Sequence, residues 1–337
     1  MMIKKCLSLF LALLFFAAAL AGCNIKITYE SDTGSETLSP PVNDPYADLD
    51  FDPPVWRVTG NGGEEMFLFG TIHVGDERSE SVLHRVDPVL SSCDALAVEF
   101  DIVAYQSAEN MSSMVAQLQS MTYTDGTTVR DHIPEDLYNE LKAAVEDAGY
   151  PFDYMQTYNL SFWYDMVQSI YLLGADVSSE YAIDILLINR AYDLELPVLE
   201  VESAEYQISV MADMSDELYI ALIEETLGMS KALYGAALNS SYMLWLSGNE
   251  EALLGADLEE YGVEAGEVSS EIAEFNEKLI DTRNEGMVEK ALEYLSSGKT
   301  VFFAVGSGHL IGDGGVAAEL REAGYNVERI HLKDINN

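Results

Sequence analysis

Two stretches far apart in the chain carry the same pattern. Met66-Phe-Leu-Phe-Gly-Thr-Ile-His73 and Thr300-Val-Phe-Phe-Ala-Val-Gly-Ser-Gly-His309 are each an apolar, aromatic run that ends in Gly-x-x-His. A short apolar run bounded by glycine predicts a buried strand. The glycine lets the backbone turn or approach another group closely. The histidine then leaves the strand end, where open α/β sheets place their ligands. A lone histidine there is often structural, but a pair in one local motif points to chemistry. Neutral imidazole is a metal ligand and a general base near pH 7. Two imidazoles need carboxylates beside them to make a site.

Glu99 is the first candidate. It follows Ala95-Leu-Ala-Val98, so it emerges from a buried strand and needs a partner. It could be a ligand, a general base, an orienter of a histidine, or one half of a salt bridge to an arginine. Asp101 follows two residues later and is expected on the same side. Glu202 leaves the short apolar segment 197–201 in the same manner, with Glu200 and Glu205 nearby. Strand alternation puts Glu200 and Glu202 on one side; Glu205 suits a helix start. Arg283-Asn284 interrupts an acidic helical segment, where the arginine could clamp a carboxylate, grip a substrate carbonyl or make a surface ion pair. His84, His132 and His331 carry no comparable context. The chain has no P-loop, no Gly-x-Ser-x-Gly and no His-Glu-x-x-His.

The elements that must position these residues follow from periodicity. Segments 55–59 and 66–69 flank Gly60-Asn-Gly-Gly63, a hairpin signal. A helix over 79–90 and a strand over 94–101 complete a β-β-α-β start. The middle predicts helices over 103–121, 134–148, 158–173 and 179–194, a strand at 197–201, and helices over 215–238 and 269–295. Pro134 suits the first helical position. Trp245, Tyr242 and the methionines of 211–229 read as core of this helical region. The end predicts β-α-β over 301–305, 315–323 and 325–332, with Gly298 and Gly324 at helix stops. The fold class is α/β: a mixed β-sheet core built from N- and C-terminal βαβ-like elements, with a large helical insertion. The paired strand-Gly-x-x-His elements hint at an internal duplication.

Bulk properties bound the function. The 337 residues include 58 acidic and 17 basic ones, for a formal net charge of −41. That excludes nucleic acid and anionic membrane surfaces as partners of the folded domain. With 48% hydrophobic residues the chain is globular. Residues 1–22 read as a signal: Lys4 and Lys5, an apolar run over 7–20, then Leu20-Ala-Gly-Cys23, which resembles a lipobox with Cys23 as the acylated (palmitate-type) residue. Cys6 leaves with the signal, so Cys93 remains alone and no internal disulfide forms. Residues 23–54 read as a flexible acidic linker and 55–337 as one domain. The expected location is the extracytoplasmic face of the cell membrane.

An ordered set of motifs over roughly 55–332 resembles the TraB/GumN family, which includes the Tiki metalloproteases. Phe69-Gly-Thr-Ile-His73, Ala97-Val-Glu99, Ile183-Asp184, Glu202-Ser-Ala-Glu-Tyr-Gln207, Trp245-Leu-Ser-Gly-Asn249, Arg283-Asn284 and Val305-Gly-Ser-Gly-His-Leu310 are similar to its motifs in order. Ala182 and Asn249 depart from the family's usual Gly and Asp. The resemblance implies a fold like that of erythromycin esterases and ChaN-like haem-binding lipoproteins. It also implies a peptidase that uses a divalent metal (Mn, Co or Zn). His73, His309 and Glu99 would then be the metal or catalytic set, with Glu202, Arg283 and Asn284 as supporting or substrate-binding groups. Arg283 and Asn284 would polarise the scissile carbonyl of a peptide or protein substrate. Two rivals stand beside this expectation: a metal-free His/Glu hydrolase, and a lipoprotein that binds a peptide or haem without turnover. Against haem, no Tyr or Met ligand motif accompanies either Gly-x-x-His.

Overall fold

The computed structural model describes residues 44–254, 274 and 277–335. The signal, Cys23 and the first part of the linker lie outside the described residues. Asp44 to Pro54 do not run free as a tether: Phe51 is buried, and Arg85 donates to the Tyr46 and Leu49 carbonyls and lies over the Phe51 ring. The aromatic and apolar side chains of this segment explain the docking.

The sheet has six strands: β1 Val55–Thr59, β2 Glu65–Thr71, β3 Ala95–Val98, β4 Val198–Glu200, β5 Val301–Gly306 and β6 Asn326–Arg329. Their order is β4-β3-β5-β2-β1-β6. β4, β3, β5 and β2 run parallel, while β1 is antiparallel to both β2 and β6. β1 and β2 form the hairpin that Gly60–Gly63 predicts, with Gly63 at φ 97°. β3 and β5 are buried along almost their whole length, as parallel strands covered on both faces must be.

The longer helices are α1 Arg78–Leu90, α2 Met111–Ser120, α3 Glu135–Asp147, α4 Leu160–Leu172, α5 Ile183–Asp193, α6 Ala204–Ala212, α7 Asp216–Leu227, α8 Lys231–Ser247, α9 Thr282–Ser296 and α10 Val316–Glu322. α2 to α9 make the helical insertion, interrupted by β4. The sequence-based segments differ in several places, three of them instructive. The helix expected over 103–121 breaks at Gln106 and Ser107, because Asp101 caps a separate turn over Ile102–Tyr105. The helix expected over 215–238 is two, because Ser230 accepts from Leu233 N and starts α8 afresh after Gly228. Pro134 sits one position earlier than expected, at the N-cap of α3.

Candidate functional site

Because β2, β3, β4 and β5 are parallel, their carboxyl ends share one edge. Register aligns them: Thr71 pairs with Gly306, Val98 with Ala304, and Val98 with Glu200. His73 leaves β2, Glu99 leaves β3, Glu202 leaves β4 and His309 leaves β5. Chain segments remote in sequence thus meet at the place where open parallel sheets hold ligands.

A Cβ placed on Gly306 would lie 3.2 Å from Glu99 Oε1, 3.5 Å from His309 Cδ2 and 3.8 Å from His73 Nε2. Three reactive side chains therefore surround one backbone position, and a Cβ there would crowd Glu99 Oε1. Gly70 is packed more closely still: a Cβ there would meet Ser307 Oγ at 2.6 Å.

Both imidazoles are held by Nδ1. His73 Nδ1 donates to Asp184 Oδ2 at 3.0 Å. Asp184 is placed by backbone pairing of the β2 exit with the segment before α5: Gly75 and Ser178 exchange bonds of 2.9 and 2.8 Å, and Ile183 N donates to Ile72 O. Asp184 Oδ1 is buried without a hydrogen-bond partner. His309 Nδ1 donates to Asn284 Oδ1 at 2.7 Å. The Asn284 amide cannot be turned around, because its Nδ2 donates to Gly314 O at 2.9 Å. In the neutral tautomer with Nδ1 protonated, an imidazole carries its lone pair on Nε2.

Glu99 is 5% exposed and fully engaged on one oxygen. Oε2 accepts from Arg283 Nη2 at 2.6 Å and Gln207 Nε2 at 2.9 Å; Oε1 accepts from Gly306 N at 2.8 Å. Arg283 also grips Glu202, with Nε at 3.0 and 3.1 Å and Nη2 at 2.8 Å. Gln207 bridges to Glu202 Oε2 at 3.0 Å. Burial pushes the Glu99 carboxyl up, but Arg283, the two imidazoles and the Gly306 N–H outweigh it and hold it well below the usual carboxylate range. Burial wins at Glu202, whose carboxyl is raised despite Arg283. Burial and Arg283 push the His309 imidazole down to about 3, so it is neutral.

Glu99 and Glu202 share the Arg283 guanidinium and Asp184 is hydrogen-bonded to the His73 ring, so acidic groups outnumber the cationic one in the buried centre. The two ring nitrogens and the charge deficit fit a divalent cation. Among the described residues, no three of His, Cys, Asp and Glu are closed tightly enough around one point to hold an ion as they stand. His73, His309 and Glu99 are the candidate ligands.

The structure corrects several sequence-based roles. Arg283 spends Nε and Nη2 on the two glutamates and Nη1 on Leu279 O, and Asn284 spends both ends of its amide. Both hold other groups of the centre in place. Asp101 turns away from Glu99 to cap its helical turn and accept from Tyr192. Glu200 is exposed and accepts from Asp101 N, while the Glu202 side chain is buried, because β4 ends at Glu200 and alternation stops there. Glu205 occupies the first turn of α6, as expected of a helix-start acid. Trp245 reaches beyond the helical region: its Nε1 donates to Gly70 O at 2.7 Å and its ring meets Phe69 edge-on. His84, His132 and His331 bind Glu80 O, Asp216 and Asp52, away from the centre.

Asp184 and Gln207 were not singled out as site residues by sequence reasoning. Asp184 had a signal: it is the lone acid in Ile183-Asp-Ile-Leu-Leu-Ile188, and such an acid must be buried and paired. Gln207 had none beyond its place in the Glu202–Gln207 motif.

The chain is 25% identical over 174 residues to "Uncharacterized protein YbaP" of Escherichia coli (strain K12), covering 52% of this chain and 61% of that protein. The same figures hold for the Shigella flexneri protein of that name. The match thus spans about three fifths of each relative's length. No solved structure matches. The TraB/PrgY/gumN family model matches residues 54–329, which include every residue of the centre, and the chain belongs to that family.

Proposed function

We propose that the protein is a metal-dependent hydrolase acting on peptide or protein substrates. The observation that carries this reading is the pair of Nδ1-tethered imidazoles, both beside Gly306 and next to a buried pair of carboxylates that share one guanidinium. His73 and His309 would hold a divalent cation, with Glu99 beside them. Such an ion supplies Lewis acidity where a scissile carbonyl and an attacking water meet. Asp184 and Asn284 fix the rings. Arg283 keeps Glu99 ionised, so that Oε1 can accept the proton of the attacking water. Glu202 shares Arg283 and Gln207 with Glu99, and burial raises its carboxyl next to that base.

A second reading keeps hydrolysis and omits the metal. It is favoured by the three donors already on Glu99 and by the lack of a closed three-ligand group among the described residues. The test is cleavage of a mixed peptide library by the chain from Cys23 onward with Cys23→Ser. Activity abolished by a chelator, restored by Mn²⁺, Co²⁺ or Zn²⁺ and absent in Glu99→Gln supports the metal reading. Activity indifferent to chelation would move the assignment to the metal-free one, and intact peptides under every metal would sink both. The lipobox-like Leu20-Ala-Gly-Cys23 supports anchoring through lipid on Cys23 at the extracytoplasmic face of the cell membrane.

A further inference from the structure

Asp165 belongs to no part of the site described above. It lies on α4, a helix whose residues Leu160 to Tyr171 are all buried. Asp165 and Gln168 are each 1% exposed. Asp165 Oδ1, Gln168 Nε2 and Gln168 Oε1 are buried without a hydrogen-bond partner. The two residues are three apart and share a face of the helix.

α4 packs chiefly against α7, α8 and α3. The ionisable groups that these helices bury are tyrosines: Tyr138 from α3, Tyr219 from α7, Tyr234 and Tyr242 from α8, beside Tyr164 and Tyr171 of α4 itself. The Tyr219 hydroxyl feels the Asp165 carboxyl but donates to Met211 O. None of the four helices buries a Lys, Arg or His. An unpaired carboxylate in such surroundings is far more costly than the neutral acid.

We propose that Asp165 is a proton-dependent lock in the helical layer: the packed state holds it as the neutral acid, and losing that proton loosens the helices that cover the sheet. Burial acts on this carboxyl with no cation opposing it. The neutral acid adds a donor to a face that already has an unmet amide N–H and two unmet oxygens, and a buried water can close such a set. The layer is linked to the strand that leads to His73, since α8 carries Trp245, whose indole holds Gly70 O.

A carboxyl raised in the folded state gives its full stability below its unfolded value of roughly 3.9. That stability is lost as pH rises from there through the folded value. The test is urea unfolding of the chain from Cys23 onward (Cys23→Ser) between pH 4.5 and 8, with and without Asp165→Asn. The unfolding constant of the parent, relative to the variant, should rise about tenfold per pH unit until the native state itself ionises. A ratio that does not change with pH overturns the proposal, because it requires a buried partner that neutralises the carboxylate. A measurement without any variant guards against a misfolded Asp165→Asn. With ¹³C-labelled aspartate, one carboxyl resonance should stay at its protonated position when the others have titrated. If every aspartate resonance titrates near the ordinary value, the lock does not exist.

Discussion

Arg283→Met tests the electrostatic heart of the site. Arg283 and the side chains of Glu99 and Glu202 are 4%, 5% and 4% exposed, at 2.6 and 2.8 Å separations. Solvent screens little there. Removing one partner of a buried pair costs about 3–5 kcal/mol, because the other charge is left without compensation. That is a factor of roughly 10²–10⁴ in the unfolding constant. For an m-value near ~2–3 kcal/mol/M the urea midpoint should fall by roughly 1–2 M. The pH dependence gives a second reading of the same term. The parent's depressed Glu99 contributes stability above its unfolded value of roughly 4.3, lost as pH falls towards the folded value. The variant lacks the guanidinium that depresses it, so the gap between parent and variant should be widest at neutral pH and shrink in acid. The control is Arg57→Met, which breaks an exposed pair with Glu65 (52% and 29% side-chain exposure) and should cost no more than about 1 kcal/mol. If Arg283→Met costs as little as the control, or its cost does not change with pH, the buried charge arrangement is wrong.

Further predictions follow from single contacts. Asp184→Asn should leave the fold intact but lower metal affinity about 10–100-fold, measured by competition with a chromogenic chelator, because the His73 ring loses its anionic acceptor. Trp245→Phe should cost about 1–3 kcal/mol in thermal unfolding, since Gly70 O loses its 2.7 Å donor inside the core. Asp87→Asn breaks the buried pair with Arg190 that ties α1 to α5; stability should drop by about 3–5 kcal/mol while metal content in the folded fraction is unchanged. Cys23→Ser should abolish incorporation of labelled fatty acid and release the protein from membranes.

Much of the site is visible in the residues themselves. Apolar runs ending in Gly-x-x-His show where a buried strand stops, and Glu99 is visible as a charge directly after four apolar residues. What brings them together is not local: β5, more than 200 residues after β3, enters the sheet between β2 and β3. The same limit explains the roles of Arg283 and Asn284. Their side chains show donors and acceptors, but whether those are spent inside the protein is decided by partners 81 and 184 residues away for Arg283, and 25 and 30 away for Asn284. Asp101 and Glu200 were misplaced because alternation was carried past the ends of β3 and β4. The break between α7 and α8 was hidden because apolar spacing continues through Gly228 and Met229.

The most direct test of the central claim is metal content. The chain from Cys23 onward (Cys23→Ser) should be assayed for bound Mn, Co, Fe and Zn beside His73→Ala and His309→Ala. The account predicts near-stoichiometric metal in the parent and its loss in both variants with the fold retained. A well-folded parent that stays metal-free after reconstitution, or metal kept by both variants, would contradict it.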